Sequence, residues 1–309
     1  MKLSIITPAF NEVENIPDIV EKSAEVISQQ KEDWEMIVVD DGSTDGTYEV
    51  ARSLTSKYPF LKVAKNRTNM GKTQAILTGL ACSTGRYIAV LDADLQYSPE
   101  DIPKLVEKLH EGYDLVTGWK VGKYSKRFVS SIYNWLSRLL FRVPVHDQNS
   151  VKVMNREILE ELHLRKDWHR YIVALAVDKG YSVTEVKVQL YPREKGSQKY
   201  SGKGRVLVGL LDLVAVKFQI SLIRKPLLLF GTVGLVSFLA GAIIGIYALY
   251  LRFIRGIGFR PLLYLVTLLI LAGLSLFTVG FLAETLASLA ARMERLEKKL
   301  GGRNRPSPE

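Results

Sequence analysis

Asp92 and Asp94 alternate within a short motif, Asp92-Ala93-Asp94-Leu95-Gln96, directly after the apolar run Tyr87-Ile88-Ala89-Val90-Leu91. Two carboxylates and an amide at the end of a strand suit one task well. They hold a hard divalent cation, Mg2+ or Mn2+, which keeps open positions for the oxygens of a diphosphate. The ligand such a site implies is a nucleotide-activated substrate. By itself an Asp-x-Asp after a strand is an ordinary solvated turn, so the rest of the chain has to decide.

The elements that must position the motif follow from apolar periodicity. Strand patterns fall at residues 3–7, 36–40, 61–64, 87–91 and 114–117, and helix patterns near 14–29, 45–57, 71–82 and 99–111. Short β-branched runs separated by amphipathic helices predict an α/β fold with a largely parallel sheet covered on both faces. Ligands of such sheets bind beyond the carboxyl ends of the strands. Three polar clusters sit there: Pro8-Ala9-Phe10-Asn11-Glu12, Asp40-Asp41-Gly42-Ser43-Thr44-Asp45-Gly46, and the 92–96 motif. Their convergence raises the acidic pair from a turn to a site.

Past residue 120 the chain turns cationic, with Lys120, Lys123, Lys126, Arg127, Arg138 and Arg142 and no acid between them. Phe128, Val129, Ile132, Trp135, Leu136, Leu139 and Leu140 recur at helical spacing, with Arg127, Ser131 and Arg138 on another face. This predicts an amphipathic helix, either an ordinary surface helix or one lying against anionic lipid. A second basic stretch, glycine-rich and running from Tyr191 to Gly204 through Arg193, Lys195, Lys199 and Lys203, reads as a loop that closes over phosphates. It follows a strand pattern at 183–190 and precedes an apolar helix pattern at 206–223.

The 309 residues contain two stretches without a charge, 226–251 and 261–283. Each exceeds the roughly 20 residues that cross a hydrocarbon core, and together they predict a transmembrane hairpin. The chain opens on a strand, with no secretory signal, so residues 1–225 are expected in the cytosol. Arg224, Lys225, Arg292, Arg295, Lys298, Lys299, Arg303 and Arg305 flank the cytosolic ends, against Arg252, Arg255 and Arg260 outside. The single cysteine, Cys82, excludes an internal disulfide and is read as a small core residue. The four histidines lack metal-ligand spacing. A net charge of +10 without a nucleic-acid recognition motif points to an anionic bilayer surface rather than to nucleic acid.

Pro8-Ala9-Phe10-Asn11-Glu12, the 38–46 segment from Val38 to Gly46, Asn69-Met70-Gly71-Lys72 and the 92–96 motif followed by Pro99-Glu100-Asp101-Ile102-Pro103 resemble the motif series of inverting family 2 glycosyltransferases of the GT-A fold. With the paired apolar segments, the chain resembles polyprenyl-phosphate glycosyltransferases in particular, among them dolichyl-phosphate mannose synthases and bacterial undecaprenyl-phosphate glucosyltransferases. The resemblance implies a GT-A domain over 1–204, a juxtamembrane amphipathic helix over 205–225, two transmembrane helices within 226–288 (226–251 and 261–285) and a basic cytosolic tail over 289–309. It places Pro8, Phe10, Glu12, Asp41, Lys72 and Ala93 around the donor nucleotide, and Asp92, Asp94 and Gln96 on the metal and diphosphate. Lys120, Arg127 and Ser131 fall at phosphate-contacting positions, Arg193 and Lys199 in the closing loop, and Asp147 near the acceptor. Asp94, Asp147 and Arg127 are the expected catalytic residues.

The implied reaction is transfer of a hexose, with inversion, from a nucleotide sugar to polyprenyl or dolichyl phosphate at the cytosolic membrane face. The subgroup resemblance implies UDP-glucose as the donor, and Lys120 standing where mannose synthases carry arginine counts against mannose. GDP-mannose transfer, transfer to a lipid without phosphate, and a non-catalytic membrane scaffold are the alternatives. A processive synthase is disfavoured because the chain has no Gln-x-x-Arg-Trp motif. Similar bacterial enzymes form tetramers, so a homo-oligomer is an expectation too.

Overall fold

The computed structural model describes residues 2–121, 138, 140–141, 143–162, 164–193, 216–218 and 225–303, without the side chains of 294, 295 and 297–303. Arg127, Ser131, Lys199 and most of the two helices expected around 128–140 and 206–223 lie outside the described residues. The chain forms two compact units, Met1–Leu210 and Leu211–Glu309.

The first unit is built on a seven-stranded sheet in the order β3-β2-β1-β4-β6-β5-β7. Its strands are β1 (Leu3–Ala9), β2 (Trp34–Asp40), β3 (Leu61–Lys65), β4 (Tyr87–Val90), β5 (Leu115–Val121), β6 (Lys152–Asn155) and β7 (Val183–Gln189). Every residue of β2, Trp-Glu-Met-Ile-Val-Val-Asp, is buried, as a central strand covered on both faces requires. Helices α1 (Ile16–Ser28), α2 (Thr47–Leu54), α3 (Lys72–Cys82) and α4 (Ile102–His110) connect the strands and cover the faces. Pro17 and Pro103 stand in the first turns of α1 and α4, where no backbone donor is lost. The core runs through Leu3, Ile5, Ile16, Ile19, Met36, Val38, Ala89, Leu91, Ile102 and Leu105, between sheet and helices.

The sheet is largely parallel, as expected, and is mixed through one unanticipated strand, since β6 runs antiparallel to both β4 and β5. Helices α5 (Arg156–Glu161) and α6 (Ile172–Lys179) also went unforeseen. Both are under three turns long, too short for a clear periodic signal. Cys82, expected in the core, is exposed at the last position of α3.

The second unit pairs α7 (Pro226–Ile254, 29 residues) with α8 (Arg260–Arg303, 44 residues). Both helices are long and apolar enough to cross a membrane. Glycines bring the two backbones together. A Cβ on Gly234 would lie 2.7 Å from the Gly273 carbonyl, and one on Gly273 equally close to the Gly234 carbonyl. Small residues that admit a neighbouring backbone are how helices associate where no water drives them together. Ser237 Oγ donates to the Leu269 carbonyl across the pair (3.1 Å), and Glu284 accepts the Leu227 N–H in the first turn of α7 (3.2 Å).

Candidate active site

Two turns are stitched together at the carboxyl ends of β1 and β2. Asn11, in the left-handed region at φ 52°, accepts the Thr44 N–H (2.9 Å), and its own N–H donates to Ser43 Oγ (2.8 Å). The Glu12 N–H donates to Thr47 Oγ1 (2.9 Å), and the Asp41 N–H to the Ala9 carbonyl (2.8 Å). The Asp41 carboxylate accepts from Asn66 Nδ2 (2.7 Å), Met70 N–H (3.1 Å) and Gly71 N–H (2.8 Å). A carboxylate has about four acceptor positions, so one remains for a base or ribose donor. Gly42 is compulsory there, since a Cβ would sit 2.5 Å from the backbone carbon of Thr68. Pro8 and Phe10 are half-buried beside these turns.

The 92–96 motif leaves β4 with its polar members half-buried and Ala93, Leu95 and Tyr97 buried between them. This alternation turns Asp92, Asp94 and Gln96 to one side. Leu95 holds φ at 56°, an unfavourable conformation for a branched side chain. The Gln96 N–H donates to Asp94 Oδ1 (3.2 Å). Each carboxylate meets a cation of the chain itself. Lys72, at the start of α3, pairs with Asp92. Arg193 donates to Asp94 Oδ2 (2.8 Å) and stands 3.6 Å from Glu12. The Tyr191 N–H bonds the Gln96 carbonyl (3.0 Å), which draws the segment leaving β7 across the motif and delivers Arg193. Burial and the neighbouring Asp92 push the Asp94 carboxyl upward despite Arg193. For Asp92, burial pushes upward, but Lys72 and then Lys152 bring the carboxyl below its usual range.

Beyond β4 the edge continues through β6 and β5. Asp147 is buried, with Lys120 Nζ 3.0 Å from Oδ2 and the Asn149 N–H on Oδ1 (3.0 Å). Its backbone is fixed on both sides. Thr117 Oγ1 donates to the Asp147 carbonyl (3.2 Å), and His146 stacks on Trp119 with ring centroids 4.1 Å apart while its N–H donates to Glu185 (2.6 Å). Lys152, at the start of β6, is buried and donates to the Ser150 carbonyl (2.8 Å). Burial and the nearby Lys72 bring its ammonium down to about 8. His169 lies against Thr73, its Nδ1 3.0 Å from Oγ1, and burial with the surrounding cations holds the imidazole neutral, down to about 2.

Glu12, Lys72, Asp92, Asp94 and Arg193 thus converge, and Asp147 and Lys120 form a neighbouring pair. Lys152, His169 and Thr73 were missed. A lysine between valines reads as an exposed strand position, and the one available signal was Thr73 following the Gly71-Lys72 motif. Among the described residues no three acidic, histidine or cysteine side chains gather as a metal cage. Asp92, Asp94 and the Gln96 amide nonetheless fit a small hard cation, which binds through one or two carboxylates and takes its other ligands from phosphates.

The model of glycosyl transferase family 2 matches residues 4–162. A dodecaprenyl-phosphate galacturonate synthase of Rhizobium johnstonii is 33% identical over 298 residues, covering 93% of this chain and 88% of the relative. An undecaprenyl-phosphate 4-deoxy-4-formamido-L-arabinose transferase of Serratia proteamaculans is 29% identical over 263 residues, covering 82% and 78%. Among solved structures, glucosyl-3-phosphoglycerate synthase from Mycobacterium tuberculosis, crystallised with Mn2+ and UDP-glucose, superposes with a TM-score of 0.56 at 21% identity, covering 69% of this chain and 78% of that one. The last likeness bears on the fold alone.

Proposed function

This chain belongs to glycosyl transferase family 2, and from that premise we propose that it transfers a sugar from a nucleotide diphosphate donor to a polyprenyl or dolichyl phosphate at the cytosolic face of a membrane, with inversion at the anomeric carbon. The observation that carries this reading is the acidic pair itself. Asp92 and Asp94 stand mid-edge on the sheet, each paired with a cationic side chain, in a chain with two helices apolar enough to cross a bilayer. The relatives named above support it by their polyprenyl-phosphate acceptors.

The nucleoside lies over the stitched turns, with Pro8 and Phe10 against the base and the remaining acceptor position of Asp41 for its N–H. Asp92, Asp94 and Gln96 hold Mg2+ or Mn2+ when it is bound, and that ion offsets charge on the departing diphosphate. Lys72 and Arg193 then leave the carboxylates for the phosphate oxygens, within reach of their present positions. The lipid phosphate needs no general base, being anionic already. It does need a cation beside it, and Lys120 supplies one. Asp147, buried beneath Lys120, orients that ammonium rather than taking a proton. Arg127, Ser131 and Lys199 are proposed to complete the phosphate contacts.

Glucose, the sugar expected from the subgroup resemblance, finds no support among the relatives, which are named for galacturonate and 4-deoxy-4-formamido-L-arabinose. We take the donated sugar to be of the kind those names carry, a hexuronate or a substituted pentose, and keep UDP as its carrier. The test incubates the full-length protein in lipid nanodiscs with Mn2+, undecaprenyl phosphate and a panel of UDP and GDP sugars, and identifies the lipid product by mass. One lipid-phosphate sugar is expected, and none with EDTA. Transfer to diacylglycerol alone, or nucleotide-sugar binding without turnover on any lipid, would overturn the reading.

A further inference from the structure

Along the carboxyl edge of the sheet, the groups fall in the sequence in which a donor and acceptor would lie. The stitched turns of β1 and β2 come first, then the carboxylates after β4, then β6, and then Lys120 and Asp147 beside β5. Lys152 opens β6 and is paired in register with Val90 on β4 and Thr117 on β5. It therefore stands one strand beyond the acidic pair, on the side away from the nucleoside turns and short of the acceptor pair. That is where the transferred sugar must sit.

The ion pairs there leave one cation over. Lys72 has Asp92, Arg193 has Asp94 and Glu12, and Lys120 has Asp147. Lys152, only 6% exposed, has the Ser150 carbonyl. Among the described residues no carboxylate lies within ion-pair distance of it, although Asp92 and Asp147 are within electrostatic reach. A buried ammonium resting on one neutral oxygen is costly unless an anion joins it. The donor diphosphate already draws Lys72 and Arg193, and the lipid phosphate Lys120, so neither is the missing partner. Within electrostatic reach of Lys152, Thr73 Oγ1 accepts the backbone N–H of His169 (3.2 Å) and lies 3.0 Å from Nδ1 of its neutral imidazole.

We propose that Lys152 is a specificity-determining residue that binds a carboxylate on the transferred sugar, so that the donor is a nucleotide-linked hexuronate. This rests on the reading that Asp92 and Asp94 hold the donor diphosphate. The experiment titrates the full-length protein, with Mn2+, with UDP, UDP-galactose and UDP-galacturonate, and measures kcat/KM for the two sugars with undecaprenyl phosphate. The wild type should favour the uronate by about 100-fold, and Lys152→Met should remove that preference, since an unpaired buried charge is worth at least that much. Lys152→Arg should retain part of it. Equal loss for both donors would assign Lys152 to a phosphate, and a wild type that favours galactose would overturn the proposal outright. Binding separates it from the broader reading. UDP-galacturonate binding more tightly than UDP-galactose while no lipid is glycosylated would uphold the subsite and defeat the acceptor assignment. If UDP itself does not bind, the uridine assignment falls, and GDP-mannuronate against GDP-mannose decides the subsite.

Discussion

The two halves of the sheet's carboxyl edge hold their acids differently. On the β1–β2 side, Asp41 is gripped by the backbone N–H groups of Met70 and Gly71, and Asp45 by those of Val13 and Thr47. On the β4–β6–β5 side, Asp92, Asp94 and Asp147 pair with the side chains of Lys72, Arg193 and Lys120, and Asp94 and Asp147 take one backbone N–H each. An acid bound by main-chain amides cannot change partners without unfolding its turn. An acid bound by a lysine or arginine can, because the cation swings away on single bonds. One residue type therefore does two jobs, scaffold on one side and exchangeable ligand on the other.

Substitutions can break or sharpen this contrast. The largest effect is expected for Asp94→Ala, which should lower transfer by at least about 1,000-fold and leave thermal unfolding unchanged, as product formation and melting measured together will tell. Asp41→Ala should do the reverse in kind, losing on the order of 3 kcal/mol of stability as buried amides lose their acceptor, with catalysis in the surviving folded fraction altered chiefly through KM. If Asp41→Ala abolished turnover at full stability, the contrast would fail.

Glu35 provides an acid held in both ways and far from any ligand, at the amino end of β2. Lys62 reaches its Oε2 (2.6 Å), while Ser4, the Thr84 N–H and the Thr84 hydroxyl bond its Oε1. Burial pushes its carboxyl up, yet these partners together bring it from the usual 4.5 to about 2. A folded value below the unfolded one stabilises above the unfolded pKa and is lost as pH falls toward the folded one. Glu35→Gln should therefore cost on the order of 2 kcal/mol at pH 7, with the gap to wild type narrowing below pH 4.5 in denaturation curves. The smallest effect belongs to the helix pair. Ser237→Ala should weaken it by about 0.6 kcal/mol, read from hairpin unfolding in detergent, with donor binding unaltered.

Much of this was legible in the chain. Alternating apolar runs placed β1 to β5 and the helices between them, and the uncharged stretches placed α7 and α8. The meeting of three polar clusters at the carboxyl ends of β1, β2 and β4, with the acidic pair among them, was legible as well. What stayed hidden was non-local. β6 is four residues long with a lysine at its head, and only its register between β4 and β5 buries that lysine. His169 comes to Thr73 from 96 positions away. Arg193 looked like one cation among several in a loop, and only the Tyr191 to Gln96 backbone bond singles it out. Pattern reading finds what repeats along the chain, and contacts between distant turns do not repeat.

The internal pairing of Asp92 with Lys72 and of Asp94 with Arg193 has a consequence for how added electrolyte acts on the protein. A donor arriving with its divalent ion meets a cleft already close to electroneutral, and its phosphates take over cations that the carboxylates give up. Little mobile counterion is gained or shed in that trade, and close contacts of this kind are screened far less than distant charges. Apparent donor affinity should stay nearly flat as ionic strength rises, and recognition is settled at contact range rather than by attraction from a distance.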